Sequence, residues 1–267
     1  RSTGMGFFPG SYVFPGGALD ADEWNNEFWQ PHIDLPHEDL LKHFGPGLNT
    51  KDLIAYGVAA IRETFEEAGV LLAGKEGDFN ETLKRVCDIR STENLKAEWF
   101  GKMVSHEGLR LSFSNLFPWS HWITPEAMPK RFDTRFFIAL MPEGQECVPD
   151  DQESVHGLWI SPEKGLRENM RGEIPLSPPT LITLHKLLRY GTLESLNKDL
   201  RSRSWGDALL PILMKMEKGA VIVEPWDPEY GKEIEIVSEG LKEKGVPVGE
   251  PFSRLWLDRG IWRPLRA

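Results

Sequence analysis

The chain has 267 residues, 40% hydrophobic and 27% charged, with a formal net charge of −10. This globular composition leaves room for one large domain or one domain with an extension, and it excludes a uniform basic footprint for nucleic acid and an apolar run of membrane-spanning length. Two cysteines, Cys87 and Cys147, without a C-x-x-C pair make a disulfide framework unexpected, so a reducing compartment is the default, with a single pairing left open.

The chain opens on Arg1, with neither an initiator methionine nor a signal peptide, and its natural N-terminus is expected upstream. Residues 1–19, RSTGMGFFPGSYVFPGGAL, are rich in glycine and proline and read as strand, loop, strand and a tight turn at Pro15-Gly16-Gly17. Residues 20–52 are polar, and Pro31, Pro36 and Pro46 prevent one continuous helix. A helix is predicted from Tyr56 to Leu72, ending near Gly69 or a turn later at Gly74. Its stripe of Ile54, Val58, Ile61, Phe65, Ala68 and Leu72 recurs at the period of one buried helical face. The stretch 78–109 reads as mostly helical, and 116–125 and 131–142 as strands, the second alternating Phe132, Thr134, Phe136, Ile138 and Leu140. After the acidic loop 148–154 come a short strand and a helix start. A further helix with proline at its start covers 177–190. The tail holds AVIVEPWDP and FSRLWLDRGIWRPL, both strand-like. The sum is a mixed α/β chain: a main domain over 1–195, carrying chemistry-bearing motifs, and a C-terminal extension over 196–267 packed on it.

Within the long helix, Glu63, Glu66 and Glu67 stand at i, i+3 and i+4, which brings their side chains together. Like charges at that spacing repel, so an isolated helix gains nothing from them. Three explanations are open: a solvated face, intrahelical pairing of Arg62 with Glu66, and a site for hard divalent cations, which take carboxylate and phosphate oxygens. No H-E-x-x-H or H-x-H spacing exists, so zinc is not expected, and His121 and His156 read as structural.

Upstream, Gly17 and Glu23 follow Phe14-Pro15-Gly16. Joined to Arg62-Glu63-Thr64-Phe65-Glu66-Glu67-Ala68-Gly69-Val70, they resemble the Nudix box of hydrolases that cut diphosphates linked to a nucleoside. One departure is the interval between Glu23 and Arg62, far longer than the family's. An insertion over 24–54 splits the box, and it is expected to leave and return at nearby points beside the site. The resemblance implies a Nudix α/β/α sandwich with a mixed sheet between helices. It also implies roles: Glu66 and Glu67 as metal ligands, Glu63 as a third ligand or the group orienting the attacking water, and Arg62 pairing with the glutamates to set their rotamers. The carbonyl of Gly16 or Gly17 would complete the sphere of a Mg²⁺ (or Mn²⁺) ion. Many Nudix enzymes also carry a loop glutamate serving as ligand or general base, which here implies a catalytic role for Glu153, with Asp150 and Asp151 competing for it.

A second motif runs through Arg1, Ser2, Gly10, Phe14, Pro15, Gly16 and Gly17. It resembles the stretch placed just before the box in coenzyme A diphosphatases of the Nudix family, departing at Gly6 where that motif has arginine. A hairpin that merely shapes the chain before the helix is the alternative. The resemblance implies that these residues bind substrate and that CoA and acyl-CoA esters are hydrolysed to 3′,5′-ADP and (acyl-)4′-phosphopantetheine. Other nucleoside diphosphates remain alternatives (ADP-ribose, NADH or capped RNA ends), as does a non-catalytic binding module. Only capped RNA would involve nucleic acid; no membrane partner is expected. Lys130, Arg131 and Arg135 are candidates for the 3′-phosphate or form a strand-edge charge cluster. Trp119, Trp122 and Trp159 are candidates for stacking on adenine or belong to the core. Peroxisomal residence is implied by resemblance alone; Leu265-Arg266-Ala267 is not an S-K-L-type address, and cytoplasm or mitochondrion are the alternatives.

Overall fold

The structure, a computed structural model, describes residues 10–92, 98–148, 157–234 and 240–267. The polar segment after residue 20 folds into short pieces: 3-10 turns at Ala21–Trp24 and Gln30–His32, and helices α1 (Asn26–Trp29) and α2 (His37–Phe44). Proline sets the breaks, with Pro31 inside the second turn and Pro36 at the N-cap of α2. Helix α3 (Thr50–Ala68) follows. It starts at Thr50 and not at Tyr56, because the Asn49 side chain caps it by accepting from the Asp52 N–H at 2.9 Å. It stops at Gly69, whose left-handed backbone donates to the Phe65 carbonyl. Leu72 therefore lies beyond the helix, although it is buried in the same core.

That core joins the α3 stripe (Ile54, Val58, Ile61, Phe65) to Trp29, Ile33, Leu40 and Phe44 of the 24–54 segment. The segment thus adds large side chains to the main core. Each such buried side chain contributes roughly 1.5–3 kcal/mol. Helices α4 (Phe79–Arg90) and α5 (Trp99–His106) close the core through Val86, Phe100 and Met103.

Three antiparallel sheets form among the described residues. Strands β1 (Ala73–Gly74) and β2 (Arg110–Leu111) make the first, and β3 (Phe117–Ile123) and β4 (Asp133–Ile138) the second. The β3–β4 register shifts between Pro118 and Ser120, where proline lacks the N–H a regular ladder needs. Among the described residues, parallel pairing occurs as single bridges: Tyr12 to Leu176, Ile33 to Leu111 and Trp122 to Leu209. Residues 157–160, expected as a short strand, join no ladder, and Leu158 and Trp159 face solvent instead.

Helices α6 (Pro162–Arg171) and α7 (Pro178–Leu187) each begin with proline behind a serine cap, Ser161 and Ser177. After α8 (Leu193–Leu200) the tail forms a four-stranded meander: β5 (Ile212–Lys215), β6 (Ala220–Val223), β7 (Arg254–Asp258) and β8 (Ile261–Leu265). It packs on α6 and α7 through Leu166, Leu181, Ile222, Leu255 and Trp262, in one cluster with Trp122 of β3. Buried Asn169 ties the layers, donating to the Trp262 carbonyl at 2.9 Å and accepting from the Leu176 N–H at 3.0 Å.

Candidate active site

The glutamates of α3 are not a solvated face: Arg62, Glu63 and Glu67 are 7%, 9% and 7% exposed. Loop 10–23 covers them. Arg62 stands at the centre and directs its donors outward. Its Nε donates to Glu23 Oε1 at 2.7 Å, one terminal nitrogen to Glu63 Oε1 at 2.9 Å and Glu66 Oε2 at 2.8 Å, and the other to the Ala18 carbonyl at 2.9 Å. Fork geometry of this kind needs guanidinium, since an ammonium cannot reach four acceptors in a plane. Glu23, 1% exposed, also accepts from the Asp20 N–H at 2.7 Å. Burial raises its carboxyl to about 7, against the hydrogen bond and charge of Arg62. Burial pulls the Arg62 guanidinium the other way, yet the Glu23 bond and the charges of Glu23, Glu63 and Glu66 raise it further above its already high ordinary value, so it stays cationic.

The glycine turn meets the same cluster. Gly16 N–H donates to Glu67 Oε2 at 3.3 Å. At Gly17 any side chain would collide with the Glu63 carboxylate, since a Cβ there would lie 2.1 Å from Oε1. Gly17→Ala is therefore expected to cost about 1–3 kcal/mol in urea unfolding, the price of overpacking a filled site. An unchanged midpoint would mean that the Glu63 carboxylate swings aside without cost and is not fixed by Arg62. Both halves of the divided motif, residues 16–23 and 62–67, thus converge although 39 residues separate Glu23 from Arg62.

Residues 1–187 match the NUDT19 Nudix domain family. The chain belongs to the NUDT19 Nudix domain family. It is similar to the human acyl-coenzyme A diphosphatase NUDT19, 28% identical over 96% of this chain and 78% of that protein. The chicken protein of the same name is 27% identical over 96% of this chain and 80% of its own length. Among solved structures, a Nudix hydrolase from Alicyclobacillus acidocaldarius superposes with a TM-score of 0.60 and 26% identity, covering 78% of this chain and 87% of that one.

Nudix hydrolases use divalent metal ions, and the donor chemistry here fits one. Glu63, Glu66 and Glu67 offer hard oxygens on adjoining turns of a helix, beside glycine backbone that admits close approach. The carboxylates do not already form a closed cage: among the described residues no three acidic, histidine or cysteine side chains stand at metal-holding distance. Arg62 holds the Glu63 and Glu66 carboxylates.

Other residues singled out by sequence fall in different places. Gly10 is an exposed turn residue, and Phe14, 37% exposed, packs edge-on against Phe136 of β4. Tyr12, between them, is pinned to the chain before α7, donating to the Pro175 carbonyl at 2.7 Å. Arg1, Ser2, Asp150, Asp151, Glu153 and His156 lie outside the described residues. Arg135 is a stacking residue, its guanidinium over the rings of Tyr56 and Trp205, whereas Lys130 and Arg131 are exposed. His121 is structural, 2.6 Å from Asp133 Oδ1. Trp119 and Trp122 are core, but Trp159 is 71% exposed.

Two residues were missed by sequence reasoning. The Trp99 indole donates to Glu66 Oε1 at 2.9 Å, and Arg90 Nε donates to the Glu66 carbonyl at 3.0 Å while its terminal nitrogen reaches the Val148 carbonyl at 2.8 Å. Both stand in helices with no motif of their own; only the tertiary fold brings them to α3.

Proposed function

We propose that this chain hydrolyses the diphosphate of CoA and acyl-CoA esters with Mg²⁺ or Mn²⁺, releasing 3′,5′-ADP and 4′-phosphopantetheine or its acyl form. The reading is carried by the convergence of the Gly16-Gly17 turn on Glu63 and Glu67. It is supported by likeness to proteins named acyl-coenzyme A diphosphatases. A bound divalent cation supplies neutralisation of the diphosphate and an acidified water. Glu63, Glu66 and Glu67, with the Gly16 carbonyl, hold it in this reading. Arg62 fixes the Glu63 and Glu66 rotamers, so no reorganisation is needed at the moment of reaction. Glu63 is also suited to orient the water, and Glu153 is the proposed general base. Water oxygen bonds to one phosphorus, the P–O–P bridge to the other breaks, and the water's proton passes to a carboxylate.

Arg1, Ser2, Gly10, Phe14, Gly16 and Gly17 form the proposed substrate wall, with the pantetheine arm along an open groove. Arg135, whose side chain is only 7% exposed, is not open to the 3′-phosphate, which leaves the exposed Lys130 and Arg131 as its proposed partners. The experiment is kcat/KM for CoA, dephospho-CoA, one short acyl-CoA and ADP-ribose at one Mg²⁺ concentration. Dephospho-CoA is expected to be poorer than CoA, because the cationic contacts go unfilled. The acyl ester is expected to match CoA closely, because its thioester is remote from the diphosphate. A preference for ADP-ribose would reduce the glycine-rich motif to a structural hairpin.

A further inference from the structure

A metal ligand must present its free lone pairs in one direction, and a carboxylate on a helix surface has rotamer freedom to lose. Glu66 is more open than Glu63, its side chain 28% exposed against 12%. Both of its oxygens are nonetheless engaged, each from a different element. Oε2 accepts from Arg62 within α3, and Oε1 accepts from the Trp99 indole N–H at the first turn of α5. Each oxygen keeps a further acceptor site, and two donors on opposite oxygens fix the plane of the group.

The backbone at the start of α5 is unusual. Glu98, just before Trp99, adopts the left-handed conformation (φ 67°, ψ 5°), one mostly left to glycine. It makes no side-chain cap, so helix capping does not explain the geometry. The indole is held in place by Phe65 of α3 and by Phe100, at ring-centroid distances of 6.3 and 5.8 Å. Packing sets the ring, and the N–H is aimed at a carboxylate oxygen.

We infer that Trp99 is a positioning residue for the metal site: its indole N–H orients the Glu66 carboxylate for a divalent cation. The inference rests on reading Glu66 as a metal ligand. Trp99→Phe keeps an aromatic ring against Phe65 and Phe100 and removes only the donor and part of the volume. Mn²⁺ binding to the substrate-free protein, followed by electron paramagnetic resonance, is expected to weaken about tenfold in this variant. Most of kcat is expected to return at saturating metal, with KM for substrate unchanged. In a Glu66→Gln background the same Trp99 change is expected to add no further loss of Mn²⁺ affinity. In the wild-type protein the Trp99 indole ¹H–¹⁵N resonance is expected to move on Mg²⁺ titration and to saturate with the metal site, a readout that does not depend on the variant folding. Unchanged Mn²⁺ affinity in Trp99→Phe, or an indole resonance indifferent to Mg²⁺, would reduce Trp99 to packing while leaving the metal site standing. Absence of saturable Mn²⁺ binding in the wild-type protein would overturn the metal-ligand reading and the inference together.

Discussion

Glu67→Gln is expected to lower kcat by roughly two to three orders of magnitude while the protein stays folded. The substitution keeps side-chain volume and removes a charge. In the structure Glu67 is 7% exposed and accepts the Gly16 N–H. An amide oxygen can still accept that bond, so the glycine turn is retained and stability should change little. What is lost is the charge of the glutamate that Arg62 does not hold, one of the three proposed to bind the metal. Circular dichroism and a urea melt would check folding, and turnover at saturating Mg²⁺ would check the role. Near-wild-type turnover would end the metal-site reading.

Arg62→Leu should produce the largest stability loss, about 3–5 kcal/mol, the cost of leaving a buried charge network without its counter-ion. Glu23 is fully enclosed and would keep only the Asp20 N–H, while Glu63 and Glu66 would lose the bonds that hold them to the guanidinium and the Ala18 carbonyl would lose its donor. Adding Glu23→Leu should restore part of the loss, because the uncompensated carboxylate goes with it. Equal unfolding midpoints for wild type and Arg62→Leu would show that the network is solvated in solution.

Regular period made the long helix legible: Val58, Ile61 and Phe65 lie on one buried stripe, and Gly69 ends it as glycine does in a left-handed cap. Its true start was hidden because Asn49 caps from within a stretch that reads as polar and broken by proline. Arg62 and the glutamates were legible from local spacing. Their burial was not, since the loop that covers them arrives from far upstream. Arg135 illustrates the same limit: its stacking partner Trp205 comes from the tail, and no spacing announces that contact. Trp159 errs in the opposite sense. An aromatic in a strand-like run reads as core, but among the described residues no strand pairs with 157–160, and the ring is left in solvent. Trp99 carried no signal at all, because a single indole donor is invisible until helix α5 is laid beside α3.

The most direct measurement is product identification by mass spectrometry after incubating the protein with a short acyl-CoA and Mg²⁺ in ¹⁸O-labelled water. Cleavage at the diphosphate is expected, giving 3′,5′-ADP and the acyl-4′-phosphopantetheine with the thioester intact and one ¹⁸O on a phosphate, and none of it when EDTA removes the metal. Free CoA and a fatty acid carrying the label, or diphosphate cleavage undiminished by EDTA, would contradict a metal-dependent diphosphatase built on Glu63, Glu66 and Glu67.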